Sequence, residues 1–319
     1  MSAPSIILLG ATGTIGRATL SELRAQGHDV TCLVRQGSGD KLPSGAKFLE
    51  VDLGDPDAVA RCMDTRGGAA VISCMASRTG RPADAWAVDY QANMNVLTAA
   101  QAVGCAHFIL LSAICVQKPL LEFQRAKLAF EAALTASGLH WSIVRPTAFF
   151  KSLSGQVRRV QAGKPFLVFG DGTLTACTPI SDRDLARYLV GCLNAPARLN
   201  RILPIGGPGP ALTPHAQGEV LFDLLGKKPR FRQVPVALMD GIIATLSTLG
   251  RVNQGMAEKA EFARIGRYYA TESMLVWNPT TARYDAEATP AFGDDSLRAH
   301  YQRLLLGNGE AGLGDHAIF

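Results

Sequence analysis

Residues 5–27, SIILLGATGTIGRATLSELRAQG, put three glycines between an apolar run and an amphipathic stretch. Few folds use that order. Ile6 to Leu9 reads as a strand, and the helix after the glycines ends near Gly27. Gly10 permits a tight turn, Gly13 removes the side chain where backbone must approach a pyrophosphate, and Gly16 lets helix and strand pack closely. The free N–H groups and positive dipole end of the helix then face the phosphates. Thr12, Thr14 and Ile15 complete the loop as expected cofactor contacts. Gly-x-x-Gly-x-x-Gly alone is a weak signal, but at the first strand of an alternating chain it predicts a dinucleotide site rather than a mere turn.

The alternation continues through Val30 to Val34, Phe48 to Val51, Ala70 to Ser73, Phe108 to Leu111 and Trp141 to Val144, with helical patterns between these candidate strands. Strands alternating with helices imply right-handed crossovers and a parallel sheet covered on both faces. Such strands read as unbroken apolar runs, as SIILLG and FILLS do. After Pro146 the pattern becomes irregular, until SDRDLARYLVGCLNA, with Ser181 as N-cap, and the strand RILPIGG return to the sheet. The expected class is α/β: a Rossmann-type doubly wound parallel sheet with a smaller mixed α/β substrate lobe. Residues 1–150, completed by about 181–206, form the nucleotide domain, and 151–180 with 207–319 form the lobe.

About 20 residues past the glycine loop an NAD site usually carries Asp or Glu for the ribose 2′-hydroxyl. Here VTCLVRQGSG places Arg35 at the end of the second strand. A carboxylate repels a 2′-phosphate whereas a guanidinium makes a charge-assisted fork to it, so NADPH is the expected cofactor. Arg17 is a second candidate for that phosphate, and a solvated surface charge is the alternative for either arginine. Asp52 and Leu53 after the third strand, and Cys74 after the fourth, are placed to meet the adenine.

Composition narrows the partners. A net charge of +5 lacks the concentrated basic stripe of a nucleic-acid binder and suits acidic small molecules. With 47% hydrophobic and 18% charged residues the chain is no disordered polymer. Seven cysteines with no C-x-x-C spacing, several inside apolar runs, read as reduced thiols in a reducing cytosol, with no metal site. The amino terminus carries neither a signal h-region nor an Arg/Ser-rich transit segment, so the protein is expected to act where it is made, in the cytoplasm. Val234 to Leu249 is too short to span a bilayer and contains Asp240. Met239, Ile242, Ile243, Leu246 and Leu249 line one side of a helix expected to pack on the lobe. Lys227, Lys228, Arg230, Arg232 and Arg251 nearby leave room for loose contact with an anionic membrane surface.

The glycine loop, Asn95 in DYQANMNVLTAA, Ser112 ending the fifth strand, Lys127 on the next helix and RPT after the sixth strand together resemble the extended and atypical short-chain dehydrogenase/reductases. That resemblance covers at least residues 5–205 and implies a Tyr-x-x-x-Lys pair, the lysine holding the nicotinamide ribose and lowering the tyrosine pKa. LLEFQRAKLAFE keeps Lys127 but has Phe123 where the tyrosine should stand. Phenylalanine donates no proton, so carbonyl reduction through a tyrosine-stabilised oxyanion is in doubt. Addition of hydride to a carbon–carbon double bond conjugated with a large π-system needs no such acid; the proton then falls to Lys127, Glu122 or water.

FILLSAICVQKPLLEFQRAKLAFEAAL (108–134) and the late ESMLVWNPTTARYDAEATPAFGDDSLRAHYQRLL resemble the NADPH-dependent divinyl chlorophyllide 8-vinyl reductases. That resemblance implies reduction of the 8-vinyl group of a divinyl chlorophyllide or protochlorophyllide to ethyl, and, without a transit peptide, a photosynthetic bacterium as source or a mature, processed chain. It implies Lys127 at the nicotinamide ribose, Ser112 at ribose or substrate, and Pro146 and Thr147 around the nicotinamide. A tetrapyrrole needs a wide apolar slot, to which Phe123, Phe149, Phe150, Tyr268, Tyr269 and Trp277 are candidates, with Lys151, Arg158 or Arg159 for its propionate. Aromatic core is the alternative for each ring. An isoflavone-reductase-like enzyme of phenolic substrates and a non-catalytic NADP(H)-sensing NmrA-like regulator stay open as other readings.

Overall fold

A computed structural model describes residues 5–64, 70–77 and 80–307 of the chain; the expected outer ends, 1–4 and 308–319, lie outside them. In the first half, β1 (Ile6–Leu9), α1 (Thr14–Ala25), β2 (Val30–Val34), β3 (Lys47–Glu50), α2 (Pro56–Asp64) and β4 (Ala70–Ser73) follow one another. Next come α3 (Pro82–Ala85), a π-helix (Trp86–Ala92), α4 (Asn93–Ala102), β5 (His107–Leu111), α5 (Glu122–Thr135) and β6 (His140–Pro146). The irregular stretch resolves into α6 (Val157–Gln161), β7 (Phe166–Phe169), α7 (Asp182–Gly191) and β8 (Arg201–Ile205). The remainder holds α8 (Pro214–Leu224), β9 (Phe231–Val234), α9 (Val236–Leu249), α10 (Gln254–Thr271), β10 (Val276–Asn278), β11 (Arg283–Asp285) and α11 (Leu297–Leu305).

Seven parallel strands form one sheet in the order β3-β2-β1-β4-β5-β6-β8. This is the doubly wound order, and its direction reverses between β1 and β4, where the crevice beyond the strand ends receives ligands. Alternate residues of each strand serve opposite cores. Ile6, Leu8 and Val144 pack with Leu20 and Leu23 of α1 and Leu185 and Leu189 of α7. Ile7, Leu9, Val71 and Phe108 pack on the other face with Val59, Val96, Phe130 and Leu134. β3 starts one residue earlier than its apolar run and is mostly exposed, as an edge strand is, with Phe48 left 43% accessible. Ser181 caps α7 by accepting from Asp184 N.

Outside the sheet, β7 pairs with β9 and β10 with β11. Phe150, Phe166, Leu221, Phe222, Leu297 and Tyr301 form their own small core. The apolar helix α9 departs from expectation. Its main neighbour is α10, and Met239, Ile243 and Leu246 are half-buried while Ile242 and Leu249 stay exposed with Leu238. A single neighbouring helix covers only one narrow stripe. Among the described residues no helix is long and apolar enough to cross a membrane, and no disulfide links the cysteines.

Within β5 and β6, His107 Nε2 lies 2.9 Å from Ser142 Oγ, whose proton goes to the Arg198 carbonyl at 2.8 Å. The imidazole is therefore the donor. Burial, helped by His140, pushes its pKa down from 6.5 to about 4. Between those values the unfolded chain binds a proton that the folded chain refuses, so stability is full above pH 6.5 and lost as pH falls toward 4. His107→Gln should flatten this part of the melting-temperature profile; parallel profiles for the two proteins would contradict it.

Candidate cofactor and active site

Gly10 adopts φ +73°, and a Cβ there would lie 2.5 Å from the Cys74 carbonyl oxygen; at Gly16 it would lie 2.1 Å from the Gly10 carbonyl. Both contacts require glycine. Gly13 is different: it is exposed, and a Cβ would come only within 3.4 Å of protein, so its bare backbone keeps the outer face of the loop open. No side chain caps α1 and no acidic residue stands in its first turn, which leaves its positive end for an anion. Lys151, expected at the substrate, instead reaches this loop, with Nζ 3.1 Å from Thr14 Oγ1. These features fit the pyrophosphate of a dinucleotide. Thr12 stands half-buried in the same loop, while the Ile15 side chain packs into the core and leaves only its backbone to a ligand.

Arg35 is exposed at the end of β2, and the turn beyond it is braced by Glu50, which accepts Gly37 N at 3.1 Å and Gly39 N at 3.3 Å. Arg17, also exposed, donates to the Lys41 carbonyl at 3.1 Å. Asp52 accepts Gly54 N at 2.9 Å and shapes the turn that holds Leu53, whose carbonyl takes Asn95 Nδ2 at 2.9 Å. Cys74 lies against the core 3.8 Å from Thr19 Oγ1, and burial pushes its thiol up to about 12.

At the far end of the crevice Lys127 Nζ donates to Asp89 Oδ1 at 2.8 Å, and the Asp89 side chain has no solvent exposure. Asp89 sits on the π-helix, whose widened turn aims it inward, and it also accepts Ser77 N beyond β4. One turn along α5, Glu131 is buried and takes the Ser112 hydroxyl and the Arg145 guanidinium. Asp89, Glu131 and Arg145 escaped the sequence reading. Their signal was a charge inside an apolar stretch, WAVDYQA, KLAFEAAL and SIVRPT, each of which demands a buried partner.

Glu122 is corrected as a proton source. Hydrogen bonds from Trp86 Nε1 and Arg125 hold its carboxyl below the usual range, so at neutral pH it has no proton to give. Phe123 packs, half-buried, against the core cluster that contains Ile114, Cys115, Leu121 and Tyr268. Pro146 ends β6, and Thr147 is buried with its N–H on the Ile205 carbonyl at 2.9 Å.

Phe150 is also corrected: it is 3% exposed inside the lobe core, its ring 5.4 Å from His300. Phe149 is half-buried beside Ile180, Arg159 is tied to the Pro165 carbonyl at 2.9 Å, and Arg158 is exposed. The Tyr268 hydroxyl donates to the Cys115 carbonyl at 2.9 Å. Trp277 meets Tyr284 edge-on at 4.8 Å with the Lys118 ammonium 4.9 Å from its ring.

Glycine loop, switch point and the Lys127–Asp89 pair together define a Rossmann-type dinucleotide-binding protein with Phe123 four residues before the lysine. Residues 10–196 match the NAD(P)H-binding family model, and an NADPH-dependent quinone oxidoreductase of Escherichia coli shares the fold, with TM-score 0.67 and 16% identity over 94% of this chain and 99% of that one. A divinyl chlorophyllide a 8-vinyl-reductase of Oryza sativa is 47% identical, covering 100% of this chain and 83% of its own length; that of Arabidopsis thaliana is 45% identical, covering 94% and 76%. The chain belongs to the divinyl chlorophyllide a 8-vinyl-reductase family. The phenolic-reductase and sensor readings give way to that membership. Both relatives are chloroplastic, so a bacterial source gains no support from them.

Proposed function

We propose that NADPH is the reductant and that Arg35, with Arg17 beside the same opening, binds its 2′-phosphate. The chain acts on the vinyl carbon–carbon bond of a divinyl chlorophyllide and converts the 8-vinyl group to ethyl. Full-length identity of 47% to a reductase of that substrate carries the conclusion. A bound reduced nicotinamide supplies the hydride. The chain's own part is alignment and charge: α1 and Lys151 hold the phosphates, Lys127 orients the nicotinamide ribose, and Pro146 and Thr147 shape the pocket around the ring. A carbanion spread over the macrocycle needs no oxyanion acid, which accommodates Phe123 at the tyrosine position.

A loose attachment to anionic lipid follows from α9, whose Leu238, Ile242 and Leu249 are exposed, with exposed Lys227, Lys228, Arg230 and Arg232 preceding it in the chain and Arg251 following it. The protein should sediment with phosphatidylglycerol vesicles and not with phosphatidylcholine vesicles, and Ile242→Asp should release it; equal sedimentation with both lipids would sink this attachment.

The cofactor assignment is tested by pigment chromatography of divinyl chlorophyllide a incubated with protein and either nucleotide. The 8-ethyl product should form efficiently with NADPH, and Arg35→Ala should raise the KM for NADPH roughly tenfold while leaving that for NADH nearly unchanged. Equal weakening of both nucleotides would contradict the 2′-phosphate role.

A further inference from the structure

Hydride addition leaves a proton to be supplied, and the residues first considered for it are unsuited. Glu122 is ionised, the Ser112 proton is committed to Glu131, and a proton leaving Lys127 would strand the fully buried Asp89 carboxylate without its counter-ion. A hydroxyl does arrive from elsewhere in the chain. Helix α10 lies against the segment that leads from β4 into α3: a Cβ on Gly80 would meet Ile265 Cδ1 at 2.4 Å, and Arg81 pairs with Glu258 at 2.9 Å. In its last turn the Tyr269 hydroxyl lies 3.9 Å from Cys115 Sγ. Tyr269 packs against a core cluster that includes Ile114, Cys115, Leu121 and Met274, as do Phe123, Ala113 and Ala148. Ala148 follows Thr147, which the proposed function puts beside the nicotinamide ring, so on that reading the cluster adjoins the same end of the crevice. Lys127 stands near enough for its charge to act on Cys115.

We propose that Tyr269 is the proton donor of the vinyl reduction, a phenol carried in by α10 to the place where α5 offers only Phe123. This rests on the reductase reading above. Hydride forms a C–H bond at the terminal vinyl carbon as the π bond breaks, the nicotinamide is oxidised, and the electron pair moves to the carbon attached to the macrocycle. The Tyr269 O–H bond then breaks and its proton forms the second C–H bond there. The phenolate takes a proton back from water. Burial, then the neighbouring Cys115, push the phenol well above the ordinary tyrosine range, so it holds its proton until a strong base appears.

Tyr269→Phe should lower kcat about a hundredfold. NADPH affinity and the circular dichroism spectrum should stay unchanged, and a larger solvent isotope effect on kcat should appear as water takes over the proton. Should that variant fail to fold, Tyr269→His replaces it, and kcat must then gain a dependence on pH near neutrality that the unaltered protein lacks. A kcat within twofold of the unaltered protein in Tyr269→Phe, or no new pH dependence in Tyr269→His, overturns the proposal. Absence of vinyl reduction by the unaltered protein would overturn the reductase reading and this proposal with it, whereas turnover that survives Tyr269→Phe overturns the proposal alone.

Discussion

The Asp89–Lys127 ion pair is the contact on which the rest of the site depends. Asp89 is withdrawn from water, and its partner is only 12% exposed. Removing one member of such a pair costs about 3–5 kcal/mol, because the other is left charged and unsolvated. The pair therefore locks α5 to the π-helix, and the π-helix to the end of β4 through Ser77 N. Glu131 and Arg145 repeat the arrangement one turn deeper and fix α5 to β6. With both pairs in place, α5 is held to the π-helix and to β6, with Phe123 and Lys127 one turn apart along it.

A fixed positive charge beside an apolar ring suits the reduction of a conjugated vinyl group. Carbonyl reduction concentrates charge on one oxygen and needs a donor aimed at it. A macrocycle spreads the charge itself, so the protein is asked for alignment, a cation and one proton. Dinucleotide binding is built separately, at the opposite end of the crevice, from backbone: Gly10 and Gly16 close the turn, and the uncapped start of α1 waits for phosphate. Lys151 joins the two ends, since it follows β6 yet reaches Thr14.

Most of the sheet was legible in the sequence because its strands are buried on both faces and read as continuous apolar runs. Glycine positions were legible for the same kind of reason, a steric demand that only one residue meets. Tertiary choices were not. Whether Ile242 faces protein or solvent depends on how many helices lie against α9, and its own periodicity cannot report that. Phe150 and Phe149 are adjacent and alike in composition, yet one fills the lobe core and the other is only half-buried near Ile180. Lys151 was read as a substrate cation because its long side chain hides which neighbour it reaches. Glu122 was read as an acid because nothing local announces Trp86, 36 residues away, as its hydrogen-bond donor.

On the reading proposed above, one crevice delivers a hydride from the nicotinamide and a proton from a protein hydroxyl to the two carbons of a vinyl group. The most direct measurement of this is the position of deuterium in the 8-ethyl product, from 4-deuterated NADPH in water and from ordinary NADPH in deuterium oxide. The account predicts one deuterium from the cofactor on the terminal carbon and one from solvent on the carbon next to the ring. A product whose new hydrogens both come from solvent would contradict it.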